Sequence, residues 1–257
     1  QFLRSIPAVI APDLRAEFEL TAGQLSALPA ALFFGSAIMQ LPAGVLLDRF
    51  GPRYTVAAFL LITASGVLGF SLATTTTGLT AWLLVTGWGI APVFMGTIVL
   101  LSRWVRRDRL ATMTALTVGV GGTGMLLSAS PFAAATEAFG WRNTLSAVSV
   151  FAIALVGGIL LTVRDRPPDS PAPSGASESL FQIVRGLAVV FREPKLYAIG
   201  CIGGITVGSF LTFRALWVGP YLNDVFGSGL MARGNIIFVI SLAWLISAIA
   251  IGPLDRV

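Results

Sequence analysis

Gly44-Val45-Leu46-Leu47-Asp48-Arg49-Phe50-Gly51-Pro52-Arg53 is the stretch whose reading decides the fold. It is a compact charged turn between two apolar runs, Leu25 to Leu47 before it and Val56 to Ala73 after it. A helix needs about 20 apolar residues to cross a hydrocarbon core of about 30 Å, and each run is long enough. The turn therefore lies at a bilayer face, and the rest of the chain is laid out from it.

Composition agrees. Of 257 residues 55% are hydrophobic and 11% charged, and the mean hydropathy is +0.85. A soluble domain carries about 25% charged residues, so this is the composition of a membrane protein. The net charge of +5 does not point to nucleic acid, because the basic residues cluster in short loops between apolar runs. Cys201 is the single cysteine and there is no histidine. Disulfides, Cys or His metal sites and His proton relays are excluded. No nucleophile–base pair can be assembled either, so neither an enzyme nor a cofactor site is expected.

The length criterion expects spans over 1–12, 22–47, 54–73, 79–102, 110–134, 143–163, 196–219 and 234–252, about eight transmembrane helices with the first incomplete. No signal-peptide pattern is seen; the chain starts inside an apolar run and stops after Asp255-Arg256, which reads as a piece of a longer chain. Loop charge alternates. One set holds twelve basic residues, among them Arg49, Arg53, Arg103, Arg106, Arg107, Arg109, Arg164 and Arg256; the other holds Arg15, Arg142 and Arg233. The positive-inside rule expects the first set in the cytoplasm.

Residues 164–179 are rich in Pro, Ser and charge, as in a flexible linker. Leu180, Ile183, Val184, Leu187 and Val190 follow at helical spacing, suggesting an amphipathic helix at the membrane surface. The expected organisation is an N-terminal six-helix bundle over 1–163, a cytoplasmic linker over 164–195, and the start of a second bundle over 196–257. An internal repeat supports it. Phe2-Leu3, Pro12, Leu14 and Phe18 match Phe210-Leu211, Pro220, Leu222 and Phe226 at an offset of 208, and Asp48-Arg49 matches Asp255-Arg256 at 207.

With these residues in view, the chain resembles the major facilitator superfamily of secondary transporters. Its loop motif, Gly-x3-Asp-Arg-x-Gly-x-Arg, is met by Gly44, Asp48, Arg49, Gly51 and Arg53. The resemblance implies an all-α membrane fold of two pseudo-two-fold related six-helix bundles and transport by alternating access. It also implies that Asp48 caps a helix of the opposite bundle and that Arg49 and Arg53 join a gating charge network, to which Asp255 and Arg256 would be the second-bundle counterparts. Pro52 stands where the family has the first of two basic positions after Gly51, which thins that network. Gly119, Gly121, Gly122 and Gly124 are similar to an antiporter glycine motif but lack its Gly-Pro step. The Gly200, Gly204 and Gly208 spacing suits close helix packing.

The first span resembles the anion-handling branches, the organophosphate:phosphate antiporters and anion:cation symporters. Both carry an Arg at the distance of Arg4 from Pro12, where it binds the anionic substrate. Arg4 lies eight residues before Pro12, about 12 Å deep. An Arg at the bilayer centre costs on the order of 3 kcal/mol, so it is expected to face water, a partner or a substrate. Its planar fork suits phosphate or carboxylate. Arg214, the other basic residue inside a span, is a second candidate; a structural role for it stands equally open. No acid lies inside any expected span, and Leu3 stands where the symporter branch often has Asp, which leaves no obvious proton carrier.

The sequence thus predicts a secondary transporter of a small organic or phosphorylated anion, monomeric, multi-pass in a plasma membrane of bacterial inner type, with the N-terminus and the 164–195 linker cytoplasmic. A multidrug or neutral-solute facilitator in which Arg4 is structural is the alternative.

Overall fold

A computed structural model describes residues 1–167, 194–213, 218–227 and 230–254. Among them the regular elements are all helical. The chain opens with α1 (Phe2–Val9), and α2 (Ala11–Phe18) begins where the span expected over 1–12 ends and runs beyond it. The span expected over 1–12 is interrupted: the chain bends at Ile10 (φ −90, ψ 8), and Pro12 lies in the first turn of α2. A proline is tolerated there because the N–H it lacks would have had no helical partner.

Helix α3 (Ala22–Leu72) is opened by a capping box. The Thr21 hydroxyl accepts from the Gln24 amide at 3.3 Å, and Gln24 Oε1 accepts from the Thr21 amide at 2.9 Å. Its 51 residues are not one rod, for Gly51 has φ 80 and ψ 164. Thr55 Oγ1 donates to the Leu46 carbonyl at 2.9 Å across nine residues, which a straight helix would hold about 13 Å apart. The chain doubles back at Gly51. A first arm (22–50) and a second arm (52–72) match the expected spans on either side of the charged turn.

Next come α4 (Thr76–Trp104), capped by Thr75, then α5 (Arg107–Leu127), α6 (Ser130–Phe139) and α7 (Trp141–Thr162). The span expected at 110–134 is therefore two helices, broken at Ser128 and Ala129. Gly140 (φ 79, ψ 150) makes the turn between α6 and α7. Its backbone region, like that of Gly51, is essentially open to glycine alone. Residues 22–72, 76–104, 107–139 and 141–162 are long and apolar enough to cross a membrane. Further on lie α8 (Pro194–Thr212), α9 (Val218–Phe226) and α10 (Leu230–Leu254).

The chain divides into two compact units, one of Gln1–Ser170 with Phe238–Val257, the other of Pro171–Ile237. In the first, α4 is wedged between both arms of α3 through glycines. A Cβ on Gly87 would lie 3.0 Å from the Ser36 amide nitrogen, and one on Gly89 would lie 2.7 Å from the Phe59 carbonyl oxygen. Small residues allow this backbone approach, which supplies dispersion contacts where lipid removes the hydrophobic driving force. Helix α7 joins the second arm through Ser149, which donates to the Ala64 carbonyl at 2.8 Å. The apolar core gathers Ile6, Ile10, Leu14, Leu28, Leu32, Phe70, Leu79, Phe132 and Leu145. In the second unit, by contrast, Gly200, Gly204 and Gly208 meet no neighbour within 4 Å among the described residues, so the close packing expected of them is not seen there.

Candidate functional site

Arg4 sits in α1, half-buried, with its guanidinium carbon 5.7 Å from the centre of the Phe33 ring on the first arm of α3. Phe33 is about 17 Å from the start of an arm about 43 Å long, so the pair lies well inside the membrane slab. Phe2 at the start of α1 packs edge-on against Phe132, ring centres 5.5 Å apart. Gly124 keeps α5 close here; a Cβ on it would be 3.2 Å from the Phe2 nitrogen. Among the described residues no carboxylate pairs with Arg4. A cation–π contact contributes about 0.5–2 kcal/mol, and so offsets only part of what burying the charge costs.

The turn at 44–53 is more fully built. Gly44, Asp48, Arg49, Gly51 and Arg53 lie around the bend at Gly51, at one end of the two arms. The acid that caps a helix there is Asp165, just beyond α7. Its Oδ1 accepts from the Arg53 amide at 2.7 Å, at the first turn of the second arm. Arg53 in return donates from its guanidinium to the Leu160 carbonyl in the last turn of α7. Helix N-termini leave N–H groups unpaired and favour anions; C-termini leave carbonyls unpaired and favour cations. Each of these two helix ends is thus satisfied by a charged residue supplied by the other segment. Arg53 also lies 5.1 Å over the Tyr54 ring. Nearby, Trp104 Nε1 donates to the Arg164 carbonyl at 2.9 Å, joining the ends of α4 and α7.

Asp48 is exposed and has no hydrogen bond or ion pair among the described residues, and Arg49 only approaches the Phe50 ring at 5.5 Å. Asp48 lies in the last turn of the first arm, where the helix dipole disfavours an anion by about 0.3–1 kcal/mol. Its carboxylate is therefore available to a helix N-terminus elsewhere. Arg214, Asp255 and Arg256 fall outside the described residues, as does the segment expected to form an amphipathic helix.

At the opposite end, Glu17 of α2 accepts from Arg142 at 2.6 Å and from Trp141 Nε1 at 2.9 Å, while Arg142 also donates to the Ser71 carbonyl at 2.6 Å. This ties α2 to the start of α7 and the end of α3. Partial burial pushes the Glu17 carboxyl up, but the hydrogen bonds from Arg142 and Trp141 and the charge of Arg142 hold it below its ordinary value.

Sequence reasoning missed Asp165, Leu160, Phe33 and Glu17. Asp165 had one legible signal, an acid between two arginines directly after an apolar span; it was absorbed into the linker. The Leu160 carbonyl and the Phe33 ring carry none, since a backbone acceptor and one aromatic among many look alike in any apolar helix.

Comparison with known proteins agrees with this architecture. The chain matches the sequence model of the Major Facilitator Superfamily over residues 1–256. It is 32% identical over 179 residues to monocarboxylate transporter 13 of Bos taurus, covering 66% of this chain and 40% of that protein. It is 26% identical over 170 residues to a probable hexose phosphate transport protein of Chlamydia muridarum, covering 64% of this chain and 35% of that protein. The chain thus spans well under half the length of these curated relatives. Its fold matches the crystal structure of a D-xylose-proton symporter with a TM-score of 0.67 at 16% identity, over 99% of this chain and 66% of that one. Two helix arms doubling back at a Gly-x3-Asp-Arg-x-Gly-x-Arg turn, in a multi-pass helical membrane protein matched along its whole length, place this chain in the Major Facilitator Superfamily.

Proposed function

We propose that the protein of which this chain is part carries a small organic or phosphorylated anion across a membrane by alternating access, with Arg4 as the anion-binding residue of the N-terminal bundle. The observation that carries this reading is Arg4 itself, deep in the slab and without a carboxylate among the described residues. A buried guanidinium stacked on one ring retains donors for a bidentate anion, and binding one would offset its remaining cost. The relatives described as carrying monocarboxylates and hexose phosphates have anionic cargo, which supports the class without choosing within it. Arg214 stays a second candidate for the same anion.

The turn at Gly44–Arg53 is read as the gate. Asp165 and Arg53 hold the N-terminal bundle's side of it rigid, while the unpaired Asp48 is free to cap a helix of the second bundle in one conformer only. A capping interaction of about 0.3–1 kcal/mol biases a two-state equilibrium without locking it. Asp255 and Arg256 would serve the equivalent place in the second bundle. The arginine-rich end, with Arg49, Arg53, Arg103 and Arg164, is assigned to the cytoplasm of a bacterial-type plasma membrane, and the transporter is taken to work as a monomer.

One observation favours a second reading. The Phe33 contact at 5.7 Å is also what a purely structural arginine would make, and then the cargo would be neutral. Full-length protein in proteoliposomes separates the two. Saturable exchange of labelled phosphate, a hexose phosphate or a short carboxylate, with no uptake of a neutral sugar, is expected. Uptake of neutral solutes alone would overturn the anion assignment.

A further inference from the structure

At the arginine-rich end a groove opens between the last turns of α4 and α7. It is lined by Leu100, Leu101, Trp104, Thr162, Val163 and Arg164, with a volume of about 240 Å³. Its wall is mostly hydrocarbon, and the polar groups are largely spent. Thr162 donates to the Gly158 carbonyl at 2.7 Å, and the Trp104 indole donates to the Arg164 carbonyl at 2.9 Å. What remains is the Arg164 side chain, which is exposed.

The rim is cationic. Arg103 and Arg107 flank Trp104 in sequence, and Arg109 follows in the first turn of α5. Asp108, the acid of that turn, is paired with Arg106 at 3.2 Å, while Arg103, Arg107, Arg109 and Arg164 form no ion pair among the described residues. Trp104 is 47% exposed at the level where tryptophans sit at the headgroups of a bilayer. An apolar slot that leads up to unpaired arginines at headgroup height matches a molecule with a hydrocarbon tail and an anionic head.

We infer that this groove is a binding site for one anionic phospholipid, its acyl chain lying along Leu100, Leu101 and Val163 beside Trp104 and its phosphate at Arg164 with Arg103 or Arg107. Basic pockets between transmembrane helices at this level recognise lipid headgroups by charge. The volume exceeds what a lone counter-ion needs, at about 30 Å³ for one water, and the apolar wall gives a bare phosphate nothing to hold. The chain's own 180–192 segment, with Arg185 and Arg192, bears the same charge as the rim and is disfavoured as occupant. A lipid here would bridge α4 and α7 beside the Arg53–Asp165 reciprocal caps. The proposal stands apart from the identity of the cargo.

The test is native mass spectrometry of the full-length protein in mild detergent, titrated with phosphatidylglycerol or phosphatidylcholine. The wild type is expected to bind phosphatidylglycerol more tightly. Arg164→Gln should weaken that binding about fivefold, the effect of one arginine at a membrane surface. Thr162→Trp, which fills the groove without altering charge, should reduce both lipids, and Arg15→Gln at the opposite end should change neither. Equal binding of the two lipids by the wild type, equal loss in Arg15→Gln, or displacement by millimolar inorganic phosphate would overturn the proposal. Binding that rises when residues 180–192 are deleted would assign the groove to that segment instead.

Discussion

Replacing Asp165 by alanine removes an acceptor that reaches across from the end of α7 to the Arg53 amide at 2.7 Å. A hydrogen bond to a charged group contributes about 1.5–3 kcal/mol, and the low end applies because Asp165 is only half-buried and water can reach the amide it leaves. At about 2–4 °C per kcal/mol for 150–250 residues, falling with size, about 1.5 kcal/mol sets an upper bound of roughly 3–6 °C on the fall in melting temperature of the longer full-length protein. Asp165→Asn keeps an oxygen at the helix N-terminus and loses the charge, about 0.3–1 kcal/mol, so a fall of at most roughly 1–3 °C is expected. Gly51→Ala should cost more than either, about 1–3 kcal/mol from its backbone region alone. Its new Cβ would also stand 2.6 Å from Asp165 Oδ2 and 2.9 Å from Cγ. That contact disappears in the Gly51→Ala/Asp165→Ala double variant, whose loss should fall short of the sum of the singles. The assay is thermal unfolding of the purified full-length protein followed by intrinsic fluorescence. An unchanged melting temperature in Asp165→Ala, together with additive losses in the double variant, would refute the reciprocal capping.

The cluster at the opposite end predicts a pH response. Glu17 has its folded-state pKa depressed, so its contribution is present above the ordinary carboxylate range and is lost as pH falls through the folded value. Melting temperature should drop more steeply on acidification in the wild type than in Glu17→Gln, and parallel pH profiles would contradict this. Gly89→Ala should destabilise by about 1–3 kcal/mol through overpacking against Thr63 and the Phe59 carbonyl; a melting temperature equal to wild type would show that α4 does not pack there as described. Asp48→Asn should leave the melting temperature unchanged or slightly higher, since it removes an anion from a helix C-terminus, while shifting inward and outward populations measured by double electron–electron resonance. Unshifted populations would remove Asp48 from the gate.

How much of this was legible beforehand divides along physical lines. Burial in lipid imposes a length and an apolar composition, so the arms on either side of Gly51, α4 and α7 could be read from runs of apolar residues. Gly51 was legible as a member of the turn motif, but its φ of 80, which lets the chain double back there, was not. The breaks at Ile10 and at Ser128–Ala129 were not, because they interrupt hydrophobic runs without interrupting hydrophobicity. Site residues followed the same division. Arg4 stood out because a charge in an apolar helix is costly. Asp165 did not, because an acid in a Pro- and Ser-rich stretch is ordinary until its amide partner is located 112 residues away.

The central claim is that Arg4 holds an anion, and exchange by Arg4→Lys and Arg4→Gln proteins in proteoliposomes tests it most directly. Lysine keeps the charge but loses the planar fork, so about ten- to hundredfold weaker apparent affinity for the transported anion is expected from one lost charge-assisted bond. Glutamine should abolish exchange with the melting temperature of the full-length protein preserved. Wild-type exchange kinetics in both variants would contradict the account and leave Arg4 as a structural partner of Phe33.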